Sequence, residues 1–231
     1  MANLTLKQVR DISRAFVSEL DNQKITDEEI KLWINLAQRK AQRDTWEFLS
    51  KSFIKVVADV SITSGVASVP SDLLNRHDAI IDMLVNSGET SGQTVATKEI
   101  TLSEYNRLSG NTYLTPSTSA PAYVLAGNAS GTRVLNFLPS SLATCKYWYY
   151  YLPADLSSDN DTLSIPQEIE ELVLLEVQSK MFMKLEKAAE SDKKAVEYQN
   201  ELTKLKNMIL GTLPQAQEQA KRDMQSNDLS K

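Results

Sequence analysis

The hydrophobic positions change period twice along the chain. Leu6, Val9, Ile12, Phe16 and Leu20 recur at spacings of three and four, which predicts a helix starting near Thr5, with Thr5 and Gln8 as a capping box. A second helix follows from Ile30, Trp33, Ile34, Ala37, Ala41 and Phe48. Thr26 is its predicted cap, Glu29 stands three residues on, and Asp27 and Glu28 suit the positive end of the dipole. The turn Asp21–Lys24 is short, so an antiparallel helix pair is expected. From Phe53 the period becomes two. Ile54, Val56, Ala58, Val60 and Ile62 alternate with polar residues, which predicts a half-buried strand closed by Ser64-Gly65. Further strands are expected ending at Val69-Pro70-Ser71-Asp72, over Ala79–Val85 and Thr94–Ile100, and over Ala122–Ala126, Val134–Leu138 and Ala143–Leu152. A short helix over Leu102–Leu108 is expected to be capped by Thr101, with Glu104 at its third position.

The helical period returns after Pro166, a residue suited to a first helical turn. Ile169, Val173, Val177, Met181 and Leu185 step by four, supported by Leu172 and Phe182. A fourth helix is expected after Ser191, with Ala195, Tyr198, Leu202, Leu205 and Ile209 as its seam. Two heptads are too few for a free coiled coil, so the seam should pack on the preceding helix. Gly211 and Pro214 should stop it. The stretch Thr212–Lys231 is polar, with Leu213, Met224 and Leu229 as its large apolar residues, and cannot bury enough to fold alone. The expected fold class is α+β. A four-helix body is built from both chain ends, a small and mostly antiparallel β domain is inserted, and an extended tail follows. The expected divisions are residues 1–50, 51–160, 161–211 and 212–231.

Charge and chemistry narrow the function. A net charge of −5 argues against a protein that grips nucleic acid by neutralising phosphates. The single cysteine, Cys145, rules out an internal disulfide framework and a cysteine-based zinc cluster. No apolar run approaches a membrane span, and Met1–Thr5 shows no secretory leader. A reducing cytosol, or something assembled there, is the expected setting. His77 is the only histidine and has no nucleophile motif beside it. The loop Asp155, Asp159, Asp161 lacks the glycine and spacing of a calcium loop. It fits loop solvation and helix capping better. Phosphate-cradle and metalloprotease motifs are absent. No catalytic, cofactor or metal residue is assigned, and no cofactor is expected. The aromatic run Tyr147–Tyr151 places Tyr147, Tyr149 and Tyr151 on one sheet face and Trp148 and Tyr150 on the other, as core or as a subunit contact.

The order of these parts resembles the head-to-tail adaptor (connector) proteins of tailed bacteriophages. Tyr150-Tyr151-Leu152-Pro153, Leu156-Ser157-Ser158-Asp159, Asp161-Thr162 and Ile165-Pro166, followed by a helical hairpin, form the most specific block. Val69-Pro70-Ser71-Asp72 is similar to the family's strand end, Ser119-Ala120-Pro121-Ala122-Tyr123 to its strand entry, and Leu138-Pro139 to its aromatic-Pro pair. Val69 stands where the family usually has Leu, Ser68 lacks the nearby aromatic, and no second proline follows Pro139. The resemblance runs from about Ile30 to Ile209. It implies a structural virion protein, not an enzyme. It further implies a ring of about twelve copies beneath the portal, in contact with a downstream tail or nozzle protein. DNA would pass through without sequence-specific binding. The expected location is the head–tail junction, assembled in the host cytoplasm. Leu213, Met224 and Leu229 are then the expected portal contacts, and Tyr147, Trp148, Tyr149 and Tyr151 sheet packing or tail contacts. Twelve copies would carry roughly −60, an acidic lumen that repels DNA. Two alternatives stay open: another tail-tube or nozzle subunit, and a hydrolase using Asp159, Asp161 and Glu168.

Overall fold

A computed structural model describes residues 3–17, 24–76, 78–86, 94–111, 113–127 and 132–228, with 212–228 as backbone. In chain order it contains α1 (Leu6–Val17), α2 (Asp27–Leu49), β1 (Ile54–Ser61), β2 (Val66–Ser68), β3 (Ile80–Asn86), β4 (Thr94–Ala96) and β5 (Lys98–Glu99). There follow α3 (Leu102–Ser109), β6 (Ala122–Gly127), β7 (Arg133–Leu138), β8 (Thr144–Tyr150), α4 (Glu170–Lys184) and α5 (Ala188–Asp228). The chain folds as α+β, in two compact units. One joins Met1–Phe53 to Pro153–Lys231, and the other is Ile54–Leu152.

In the helical unit α4 is central and packs against α1, α2 and α5. That is why Leu172, Val173, Leu175, Val177, Met181 and Phe182 are buried almost all the way round it. The Thr26 capping box forms as read: its side chain accepts from the Glu29 N–H at 3.2 Å, and Glu29 accepts from the Thr26 N–H at 2.9 Å. Thr5 and Gln8 form the equivalent pair at 3.2 and 2.8 Å. Ile12 and Phe16 are a correction, since both are exposed while Ser13 and Arg14 take the buried side of α1. Leu20 lies outside the described residues. α4 also starts later than Pro166 suggests. Gln167–Ile169 form a 3-10 turn, and regular helix begins at Glu170.

The larger correction concerns the end. α5 does not stop at Gly211 and Pro214 but continues as helix to Asp228, so the tail is helical rather than extended. Proline removes one helical hydrogen bond and crowds the preceding turn. Gly211 adds about 1 kcal/mol against alanine. Against these stands Gln215-Ala216-Gln217-Glu218-Gln219-Ala220-Lys221-Arg222, a run made wholly of strong helix formers. Its seam also differs from the expected one. Ser191, Lys194, Tyr198 and Leu205 are buried, and Ala195 is exposed.

The second unit holds two four-stranded sheets, where one small sheet was expected. Their orders are β1-β8-β3-β4 and β2-β7-β6-β5. Thr94–Ile100 is accordingly two strands. β4 runs antiparallel to β3 in the first sheet, and β5 runs parallel to β6 in the second. β1 departs from strict alternation because its register against β8 shifts between Val57 and Val60, where Asp59 takes φ 57°. Val56, paired with Trp148 before the shift, faces outward, and the bulge roughens an edge strand. α3 is capped by Thr101 through the Glu104 N–H at 3.2 Å, and Ile100, Ala122 and Val124 make a small core with Tyr105 and Leu108.

The turn after β1 needs its glycine. Ser64 and Gly65 have φ of 52° and 78°, and a Cβ on Gly65 would stand 3.1 Å from the Phe137 carbonyl oxygen and 3.1 Å from Ser140 Cβ. Gly65→Ala should therefore lower stability by about 1–3 kcal/mol in urea denaturation. An unchanged midpoint would show that the turn relaxes freely.

Candidate interaction surfaces

The segment that returns the chain to the helical unit, Pro153–Ile169, is held along its length by α1 and α2. Arg39 donates through Nη2 to both carboxylate oxygens of Asp155 at 2.8 Å. Asn35 accepts from the Leu156 N–H at 2.9 Å and donates to the Leu156 carbonyl at 3.2 Å. Arg10 makes a two-pronged contact with Asp159 at 3.0 and 3.1 Å. Thr5 and Thr162 form an antiparallel bridge, flanked by Leu6 N–H to the Asp161 carbonyl and Leu163 N–H to the Leu4 carbonyl. Gln38 accepts from the Ser164 N–H at 2.9 Å, and Asn3 donates to the carbonyls of Leu163 and Ile165.

The three aspartates are thereby accounted for. Asp161 accepts from the N–H groups of Ser157 and Ser158, both at 2.8 Å, and these bonds hold its carboxyl below the usual range. The Arg10 guanidinium does the same for Asp159. Carboxylates stabilised in their charged form inside a turn are poorly suited to donate a proton as a general acid. The hydrolase alternative therefore gains no support from Asp159 or Asp161.

Strand β8 shows where the aromatic run goes. Tyr147, Tyr149 and Tyr151 are all buried. The Tyr149 hydroxyl donates to Asp72 at 2.9 Å, and the Tyr147 hydroxyl donates to the Ser68 carbonyl at 3.3 Å. Burial pushes both phenols upward in pKa. Asp72 also takes an ion pair from Lys55 at 2.7 Å, whose ammonium lies 4.2 Å from the Tyr151 ring centroid. The Asp72 carbonyl accepts from the Leu152 N–H at 2.7 Å, and Leu73 bridges Tyr151. Val69–Asp72 and Tyr149–Leu152 thus meet in space. Lys55 joins them, and nothing in the sequence pattern singled it out. Trp148 is half-buried on the opposite face, with Lys146 5.0 Å from its ring centroid. Cys145 is buried, and burial pushes its thiol up to about 12. His77 lies outside the described residues.

The helical unit leaves apolar side chains outward. Leu32 and Leu36 on α2, and Ile12 and Phe16 on α1, are each exposed. Pattern reading missed the first pair because they stand opposite the buried stripe of α2. On α5, Lys206 lies 2.9 Å from Glu47 of α2, and the helix runs on for about twenty residues more. Leu213 and Met224 fall on that run, whose side chains are not described, and Leu229 lies outside the described residues.

Asp155, Asp159 and Asp161 are thus engaged in structural bonds, while Ile12, Phe16, Leu32 and Leu36 are turned outward. The sequence matches the SU10 adaptor protein family over residues 7–228, and the chain belongs to that family of phage adaptors. The membership supports a structural role in the virion. A search of curated protein sequences returns no match. Among the described residues no helix is long and apolar enough to cross a membrane.

Two outcomes follow from the stapled segment. Asn35→Ala removes both bonds to Leu156 and should cost about 1–3 kcal/mol in chemical denaturation. Asp159 and Asp161 have folded pKa values below their unfolded ones, so their contribution is present above about pH 4 and is lost as pH falls through the lower folded values. Thermal melts from about pH 6 down to about pH 2 should show a falling midpoint. Asp161→Asn should flatten that fall, and an unchanged slope would contradict the assignment.

Proposed function

We propose that this chain is a ring-forming head–tail adaptor that docks beneath the portal, lines the DNA exit channel and receives a downstream tail or nozzle protein. Family membership supports the adaptor role. The observation that carries the docking mode is α5, which is 41 residues long, or roughly 60 Å, and continues as helix well past its neighbours. On that run Leu213, Ala216, Ala220 and Met224 recur at spacings of three, four and four. Such a narrow stripe is too sparse to stabilise a lone helix in water, but it suits a helix laid into a groove of a larger partner. Leu213, Met224 and Leu229 are the proposed portal contacts. Residues 212–231 act as the docking arm, and the four-helix body, residues 1–50 with 161–211, forms the ring wall. The β domain, about residues 51–160, carries the tail-side contact. Tyr147, Tyr149 and Tyr151 are occupied in packing, so the outward aromatic Trp148 is the proposed contact there.

Truncation after Gly211 tests this directly. The shortened chain should keep its melting temperature, give up only the helical signal of residues 212–228, and lose co-sedimentation with its portal. Retained binding would place the portal contact elsewhere. A chain that binds tail proteins and no portal would favour the tail-tube or nozzle reading.

A further inference from the structure

We propose that neighbouring copies associate head-to-tail through two opposite sides of the helical unit. The outer face of α2 on one copy seats against the α1–α4–α5 side of the next. This rests on the ring reading above and deepens it.

The buried stripe of α2 is Ile30, Ile34, Ala37, Ala41, Thr45 and Leu49. Leu32, Leu36, Arg39 and Arg43 step by four, three and four, about 180° away on the helix. Leu32 and Leu36 are 56% and 52% exposed, and the Arg43 side chain is 76% exposed. This face therefore presents two leucines followed by Arg43, paired with its neighbour Asp44 at 3.2 Å, while Arg39 is held by Asp155.

The opposite side carries matching chemistry in the same order. Tyr198 of α5 points toward α2, its hydroxyl 2.9 Å from Asp44 and its ring centroid 4.3 Å from the Lys40 ammonium. Lys206 reaches Glu47, so α2 and α5 run in the same direction. Glu197, Glu201 and Lys204 lie about 60–120° around α5 from Tyr198, in the sense away from Lys206. With Glu171, Leu175 and Asn200 they line a groove of about 300 Å³ between α4 and α5, facing away from α2. Glu197 pairs with Lys194 and Glu201 with Lys204, which leaves Glu171 as the groove's carboxylate with no ion pair among the described residues. One turn toward the start of α5, Lys194 sits 3.9 Å from the ring centroid of Phe16, which brings the exposed Phe16 and Ile12 to the level of Leu36.

Both sides thus read apolar first and charged second along the same axis. Leu32 and Leu36 meet Ile12 and Phe16, while Arg43 meets Glu171 of the groove. Opposite, complementary patches make a heterologous contact, which closes into a ring when the rotation per copy divides a full turn. Desolvating the leucines supplies adhesion, and the charge pairing sets register.

Cross-linking of the full chain tests the arrangement, because native Cys145 is only 2% exposed and stays silent. A chain carrying both Ile12→Cys and Leu36→Cys, treated with a short bis-maleimide while assembled on its portal, should give a covalent ladder extending past the dimer. Either cysteine alone should give none. Arg43→Glu or Glu171→Lys alone should weaken ring association by about tenfold, and the two combined in one chain should recover it. Rings that form with no ladder overturn this interface and leave the ring reading standing, as does a dimer from Leu36→Cys alone, the mark of a two-fold contact. A chain that binds its portal only as single copies overturns the ring reading and this interface together.

Discussion

The structure depends on how residues 153–169 are held. This segment buries Leu156, Leu163, Ile165 and Ile169, and it must bring α4 and α5 back to α1 and α2 across about one hundred intervening residues. Loop closure of that length is offset by a continuous set of bonds. Arg39, Asn35, Gln38 and Arg10 each hold one stretch of it, and Leu4–Leu6 add backbone bonds to Asp161 and Leu163. Asp161 rigidifies the turn from within by gathering the Ser157 and Ser158 N–H groups. Acidic residues that a motif search would offer to a metal or a substrate are here the fastening of a discontinuous helical unit. With α4 so placed, its apolar surface is enclosed on several sides, and Ile12, Phe16, Leu32 and Leu36 on the outer faces of α1 and α2 stay exposed.

A similar economy operates in the other unit. Asp72 takes the Tyr149 hydroxyl, the Lys55 ammonium and the Leu152 N–H, so one residue ties a strand end to β8 and to the point where the chain leaves the sheet. Buried tyrosines with partnered hydroxyls fill the sheet interior while leaving Trp148 on the outer face. The aromatic interior of this unit is thus tied to its strand ends, and Trp148 is left on the other face.

Much of this was legible from residue order. Capping boxes at Thr5 and Thr26 form because a hydroxyl and a carboxylate or amide three residues apart satisfy one another locally, whatever the fold around them. Helix and strand identities followed from periods of 3.6 and 2. What failed had non-local causes. Ile12 and Phe16 obey the helical period of α1 yet face outward, because period alone does not say which flank meets α4. The division into two sheets turns on the partner each strand finds, which splits Thr94–Ile100 between β3 and β6. The helix through Pro214 reflects strong helix formers beyond it outweighing one lost bond and one flexible residue. Among candidate interaction residues, Leu213 and Met224 were visible as isolated apolar residues in a polar stretch. Leu32 and Leu36 were hidden because an apolar residue off the main stripe reads as noise until burial is known.

The proposed role is association with other chains. Mass measurement of the full-length protein mixed with its purified portal addresses that most directly. It should give one discrete complex in which many copies sit on one portal at a fixed ratio. Free chain that never joins the portal, at any mixing ratio, would contradict it.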